Sequence, residues 1–180
     1  AAIERAVRCG VRTIEHGNLV DADTARVMAE HDAFAIPTLV TYEALANEGA
    51  KFGLPPESVV KIADVKAAGL RSLAILKKAG VRIGFGTDLL GESHRLQSDE
   101  FRIRNQVLTN QEVIASATTT AADVLGMQGK LGRIQSGAIA DLLVQLDDDG
   151  EFVEDGESGQ AILEIIDLLG LRNQLTGDGR

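Results

Sequence analysis

Val81-Arg82-Ile83-Gly84-Phe85-Gly86-Thr87-Asp88 decides how the rest of the chain is read. A helix pattern stops at Gly80, a short β-branched run follows, and the run ends on an acid before a polar, Gly-rich stretch to Ser98. That is the signature of a strand whose carboxyl end opens into a loop. Working backwards, Pro56-Glu57-Ser58 opens the longest helix, running to about Lys78, with Val59, Ile62, Val65 and Leu73 on its apolar stripe. Before it, Phe34 to Val40 is nearly all apolar, as in a strand buried on both faces, although Pro37 cannot donate to a ladder. Tyr42 to Pro56 reads as a loop or irregular helix. Asp21 or Asp23 caps a helix to about Glu30. Val11 to His16 alternates as a strand and ends at Gly17-Asn18, and residues 2–9 form a helix stopped by Gly10. Working forwards, helices are expected near 98–107 and 110–126. Strands of antiparallel character follow at Gly132–Ile134 and Ala140–Leu146. An acidic, Gly-rich segment then leads to a helix at 160–170. Strands alternating with helices argue for a parallel α/β sheet built of βαβ units.

The 180 residues are 44% hydrophobic and 25% charged, enough apolar material for a core. A net charge of −9 argues against a polyanionic partner, and 3% aromatics without Trp argue against stacking on nucleic acid. No window nears the ~18 consecutive apolar residues of a membrane span. One Cys excludes a disulfide framework and a multi-Cys zinc site, and fits a cytoplasmic setting.

In parallel α/β folds, ligand-handling residues gather at strand carboxyl ends. His16 ends the first strand in I-E-H-G and Asp88 ends the third in G-F-G-T-D. Imidazole is the commonest protein metal ligand, and a carboxylate both ligates metal and accepts a proton. The pair reads either as the nucleus of a metal site or as a hydrogen-bonded structural histidine and a turn-capping aspartate. His94 and Arg95 follow in the loop, placed to meet a substrate carboxylate or simply solvated. Tyr42 stands just beyond the second strand, bordering the mouth or packing under the loop. His31, at a helix carboxyl end, reads as structural. Cys9 has no local partner for nucleophilic chemistry. The glycines of G-F-G-T-D precede an acid rather than the Lys-Ser or Lys-Thr of a phosphate loop.

I-E-H-G at 14–17, P-T-L-V at 37–40, G-F-G-T-D at 84–88, D-L-L-G-E-S-H-R-L at 88–96, A-T-T-T-A-A-D-V-L-G-M at 117–127 and L-G-R-I-Q-S-G-A-I-A-D-L-L-V at 131–144 together resemble the amidohydrolase superfamily. The likeness is greatest to its imidazolonepropionase and prolidase-like dipeptidase branch. It implies the carboxyl-terminal part of a (β/α)8 TIM barrel, strands six to eight, leading into a small β-sandwich segment. Residues 1–130 would be the partial barrel, 131–146 the start of the sandwich return, and 147–180 a divergent acidic tail. It implies one or two divalent metal ions, zinc by default, with His16 and Asp88 as ligands. The activity it implies is C–N bond hydrolysis of dipeptides or related amides by metal-activated water, with Asp88 as proton shuttle. His94 and Arg95 would contact a small-molecule or dipeptide substrate, and Tyr42, by its place just past the second strand, would border it. The family's H-x-H, its bridging lysine or glutamate and its strand-five histidine have no counterpart in these residues. The resemblance therefore implies a fragment inactive alone, whose open sheet edges favour association, homo-oligomers included. Two readings compete: a non-catalytic α/β binding module, and a hydrolase of cyclic amides or imidazolones within the same superfamily.

Overall fold

The computed structural model describes residues 1–51 and 53–139. A three-stranded parallel sheet lies at the centre, in the order β1 (Thr13–Glu15), β2 (Phe34–Ile36), β3 (Arg82–Ile83). Thr13 pairs with Phe34 and Glu15 with Ile36, while Phe34 pairs with Arg82 and Ala35 with Ile83. Every residue of β2 is buried, in keeping with a continuous apolar run between two neighbours.

Helices α1 (Ala2–Arg8) and α2 (Ala22–Glu30) precede β1 and β2. Asp21 caps α2, its side chain accepting from the Thr24 N–H at 2.8 Å. Two helices, α3 (Leu39–Glu48) and α4 (Pro56–Lys78), separate β2 from β3. After β3 come a 3₁₀ turn at Gly91–Leu96, then α5 (Asp99–Arg104), α6 (Asn110–Ala117) and α7 (Thr119–Val124). One apolar cluster joins Val7, Met28, Ala35, Leu76 and Val81; a second joins Leu39, Val40, Leu73, Ile103 and Val113. The long helix α4 contributes to both, so it ties the amino-terminal units to the carboxyl-terminal helices.

Several sequence expectations give way. The second strand ends at Ile36 instead of reaching Val40, because Pro37 cannot donate and Leu39–Val40 already begin α3. Of the 42–56 stretch, read as a loop or irregular helix, the part through Glu48 is helix. Only Arg82 and Ile83 of the 81–88 run are laddered, because their partner strand β2 ends at Ile36 and Pro37 follows it. The helix expected over 110–126 breaks at Thr118 (φ −121°, ψ −86°). Gly132, at φ +72°, crosses against the Thr118 carbonyl there. Gly132–Ile134 is not a strand, and Ile134 stands exposed. The expected strand at 140–146, the acidic segment and the helix at 160–170 lie outside the described residues. Among the described residues no helix is long and apolar enough to cross a membrane.

Gly69 lets α4 pack closely against the start of α3 and the loop after β1. A Cβ there would lie 2.7 Å from Leu39 Cδ2 and 2.9 Å from Asn18 Nδ2. Gly69→Ala gains roughly 1 kcal/mol of helix propensity but incurs an overpacking cost of about 1–3 kcal/mol. Asn18 is also held by hydrogen bonds to Val65 and Ser72, so it cannot easily withdraw. The expected result is a net loss, seen as a lower urea midpoint at unchanged m-value.

Candidate active site at the strand ends

Residues His16, Thr38 and Asp88 meet at the carboxyl end of the sheet. The His16 N–H continues the β1–β2 ladder by donating to the Ile36 carbonyl at 3.0 Å. His16 then turns to φ +65°, a left-handed conformation that costs a non-glycine residue about 1–3 kcal/mol. Asp88 does the same at φ +51°. Only Asp32, in a surface turn, shares this conformation among the described non-glycine residues. The turn at His16 ends β1 directly, the turn at Asp88 closes the segment that leaves β3 at Ile83, and the two side chains approach each other.

His16 Nε2 lies 3.8 Å from Asp88 Oδ2, and the two side chains are 42% and 54% exposed, open to solvent and to a ligand. His16 Nδ1 shares a 2.8 Å hydrogen bond with Thr38 Oγ1. With Nδ1 as donor, Nε2 turns its lone pair towards the Asp88 carboxylate, a pairing suited to a proton or a cation. Tyr42, on the first turn of α3, is half-buried at the same mouth. Burial, with a smaller contribution from the Asp88 carboxylate, holds its hydroxyl above the ordinary phenol range.

His94 and Arg95 sit in the 3₁₀ turn after β3. His94 is half-buried, and among the described residues no hydrogen bond or ion pair joins it to His16 or Asp88. Arg95 is bound to Glu48, the last residue of α3, by an ion pair of 2.5 Å. That tether lies roughly 14 Å along the helix from the Thr38 end. The structure thus gathers His16, Asp88 and Tyr42 and ties Arg95 away from them.

Three residues at this mouth escaped the sequence reading: Thr38, Glu100 and Arg104. The last two, on α5, are fully buried. Arg104 Nε donates to Glu100 Oε1 at 2.6 Å, Nη2 to the Pro37 carbonyl at 2.6 Å, and Nη1 to the Gly84 carbonyl at 2.7 Å and Ser116 Oγ at 3.2 Å. Glu100 Oε2 accepts from the Val40 N–H at 2.7 Å. Burial pushes the Glu100 carboxyl up to about 7, against the pull of Arg104 and of the backbone donors. Its i,i+4 spacing to Arg104 was the available signal, but that spacing ordinarily marks an exposed helix pair.

A model of the amidohydrolase family matches residues 1–167. A crystal structure of a prolidase complexed with N-methylphosphonate-L-proline is 64% identical, with a TM-score of 0.76, over 79% of this chain and 35% of that one. A Xaa-Pro dipeptidase with methionine bound in its active site is 28% identical, with a TM-score of 0.74, over 90% of this chain and 39% of that one. An uncharacterised protein of Mycobacterium tuberculosis is 28% identical over 98% of this chain. The chain spans about half the length of that relative, 45%.

Proposed function

Because the chain belongs to the amidohydrolase family, we propose that the full protein is a metal-dependent hydrolase of C–N bonds, acting on dipeptides of the Xaa-Pro class at the His16–Asp88 mouth. The observation that carries this reading is the approach of His16 Nε2 to Asp88 Oδ2, 3.8 Å, on the segments that leave β1 and β3 of one parallel sheet. The likeness to a prolidase at 64% identity supports the substrate class.

The donor types fit a divalent ion. A neutral imidazole nitrogen and a carboxylate oxygen are both ordinary zinc ligands, and Thr38 fixes the imidazole from behind as an outer partner does. Among the described residues no group of three His, Cys, Asp or Glu side chains converges. A catalytic zinc typically has three protein ligands, so His16 and Asp88 would be part of a set completed from outside those residues. A bound ion would supply Lewis acidity, polarising the scissile carbonyl and making water a nucleophile near neutral pH.

This chain's own residues supply the remaining roles. Asp88 Oδ2, solvent-open and facing His16, is placed to take a proton from attacking water and return it to the leaving amine. His16 is held in one ring orientation by Thr38, so no reorientation is needed when a ligand enters. Tyr42, kept protonated, presents a phenol donor to a substrate oxygen at the same mouth. His94 would reach substrate from the adjoining turn, and Arg95 only after leaving Glu48. The three strands would be strands six to eight of a (β/α)8 barrel spanning residues 1–130, with 131–146 beginning the sandwich and 147–180 following as the tail.

A dipeptide library with cyclic amides as competitors tests the reading on the full protein. Turnover of Xaa-Pro dipeptides, abolished by chelation and restored by zinc, is expected. Turnover of cyclic amides alone would replace the substrate class, and no metal-dependent hydrolysis of any amide would overturn the proposal.

A further inference from the structure

Thr38 occupies the N-cap of α3, the position where a threonine side chain ordinarily accepts from the first turn of its own helix. It makes no such bond: its hydroxyl is committed to His16 Nδ1. The helix is capped from elsewhere. Glu100, fully buried on α5 and sixty residues on, accepts from the Val40 N–H at 2.7 Å. A carboxylate there suits the positive end of the helix dipole.

Arg104 completes the arrangement from the same helix. Its guanidinium binds Glu100 on one edge and spans the Pro37 and Gly84 carbonyls on the other. Those carbonyls lie just past the laddered residues of β2 and β3 and need donors of their own. One adjoins Thr38, and the other begins the run to Asp88. A planar fork holds two carbonyls at a fixed separation, which a lysine ammonium cannot do.

We propose that the Glu100–Arg104 pair is a positioning unit for the mouth: Glu100 caps α3 in place of Thr38, freeing the Thr38 hydroxyl to orient His16, while Arg104 fixes the strand ends that carry Thr38 and Asp88. The functional meaning of this device rests on the hydrolase reading above; its existence does not. Without Glu100, the orphaned first turn of α3 competes for Thr38 Oγ1, and His16 loses its partner.

The test uses the full protein labelled with ¹⁵N-histidine, the His16 ring nitrogens being assigned by loss of signal in His16→Asn. Thr38→Val supplies the reference pattern for a His16 ring without its partner. Glu100→Ala is expected to move the ring signals at least halfway to that pattern. Met28→Ala, a buried core truncation in the other apolar cluster, is expected to lower stability and leave them unmoved. Should Glu100→Ala not fold, Glu100→Asp is read in its place, since its carboxyl draws back from the Val40 N–H. A wild-type ring pattern in folded Glu100→Ala or Glu100→Asp overturns the proposal, as does an equal shift in Met28→Ala. The readout is a ring signal and not turnover, so its failure is distinct from a failure of the hydrolase reading.

Discussion

Asp88→Asn is expected to lower kcat/KM for Xaa-Pro hydrolysis by the full protein about 10²- to 10⁴-fold, the usual worth of a positioned proton-transfer group. Asparagine keeps the shape and one oxygen but can neither hold the proton nor carry the negative charge. The loss should fall mainly on kcat, because the carboxylate acts on the proton in transit and not on the resting substrate. His16→Ala should instead reduce bound metal, measured by elemental analysis of the purified protein, with activity falling in parallel. The two variants differ in kind: Asp88→Asn keeps an oxygen that can still face the ion but loses the proton carrier, whereas His16→Ala removes a ligand outright. Wild-type kcat in Asp88→Asn together with wild-type metal content in His16→Ala would sink both assignments.

Arg104→Met should be the most destabilising single change at the mouth, by about 3–5 kcal/mol. It leaves the Glu100 carboxyl buried without its guanidinium and strips donors from the Pro37 and Gly84 carbonyls. Replacing the pair together, as Glu100→Leu with Arg104→Met, removes the stranded carboxyl and should recover part of the loss. It should not recover all, because two buried carbonyls stay unpaired at about 1–3 kcal/mol each. Equilibrium urea unfolding of the two variants checks the order; a double variant no more stable than Arg104→Met would refute it.

The pair also makes a pH prediction. Burial raises the folded-state Glu100 carboxyl to about 7, from 4.5. The folded state therefore keeps a proton that the unfolded chain releases, and stability from this group is greatest below pH 4.5. It is lost as pH rises through 7 and is level above. Glu100→Gln removes that dependence, so its stability relative to wild type should improve between pH 4.5 and 7 and then plateau. Urea midpoints across pH 4.5–8 measure it, and a constant difference would exclude the linkage.

Strand ends were legible in the sequence because they are local. A β-branched run closed by His16-Gly17 marks the stop of β1, whereas Asp88 lies five residues past Ile83, where β3 ends. Helix α4 was legible too, since Pro56 at its start and Gly80 beyond its end are local signals. Pro37 gave warning of a weak strand, yet Leu39 and Val40 read as strand when they are the first turn of α3. Their apolar side chains face the second core cluster, and burial of that face is a tertiary event. The break at Thr118 was invisible for the same reason, since it depends on Gly132 crossing the chain there.

Local patterns in the chain already carried the alternation of strands and helices, the stop of β1 at His16, and the family to which the motifs point. Each rests on periodicity and punctuation within a few residues. Packing alone brings His16 and Asp88 to 3.8 Å, turns Thr38 to His16 rather than to its own helix, and ties Arg95 to Glu48. It alone turned Glu100 and Arg104, spaced like a solvated helix pair, into the fully buried clamp beneath the mouth. The physical reason is that an i,i+4 pair fixes only its own separation. Whether water or two orphaned carbonyls surround it depends on strand ends twenty and sixty-seven residues away.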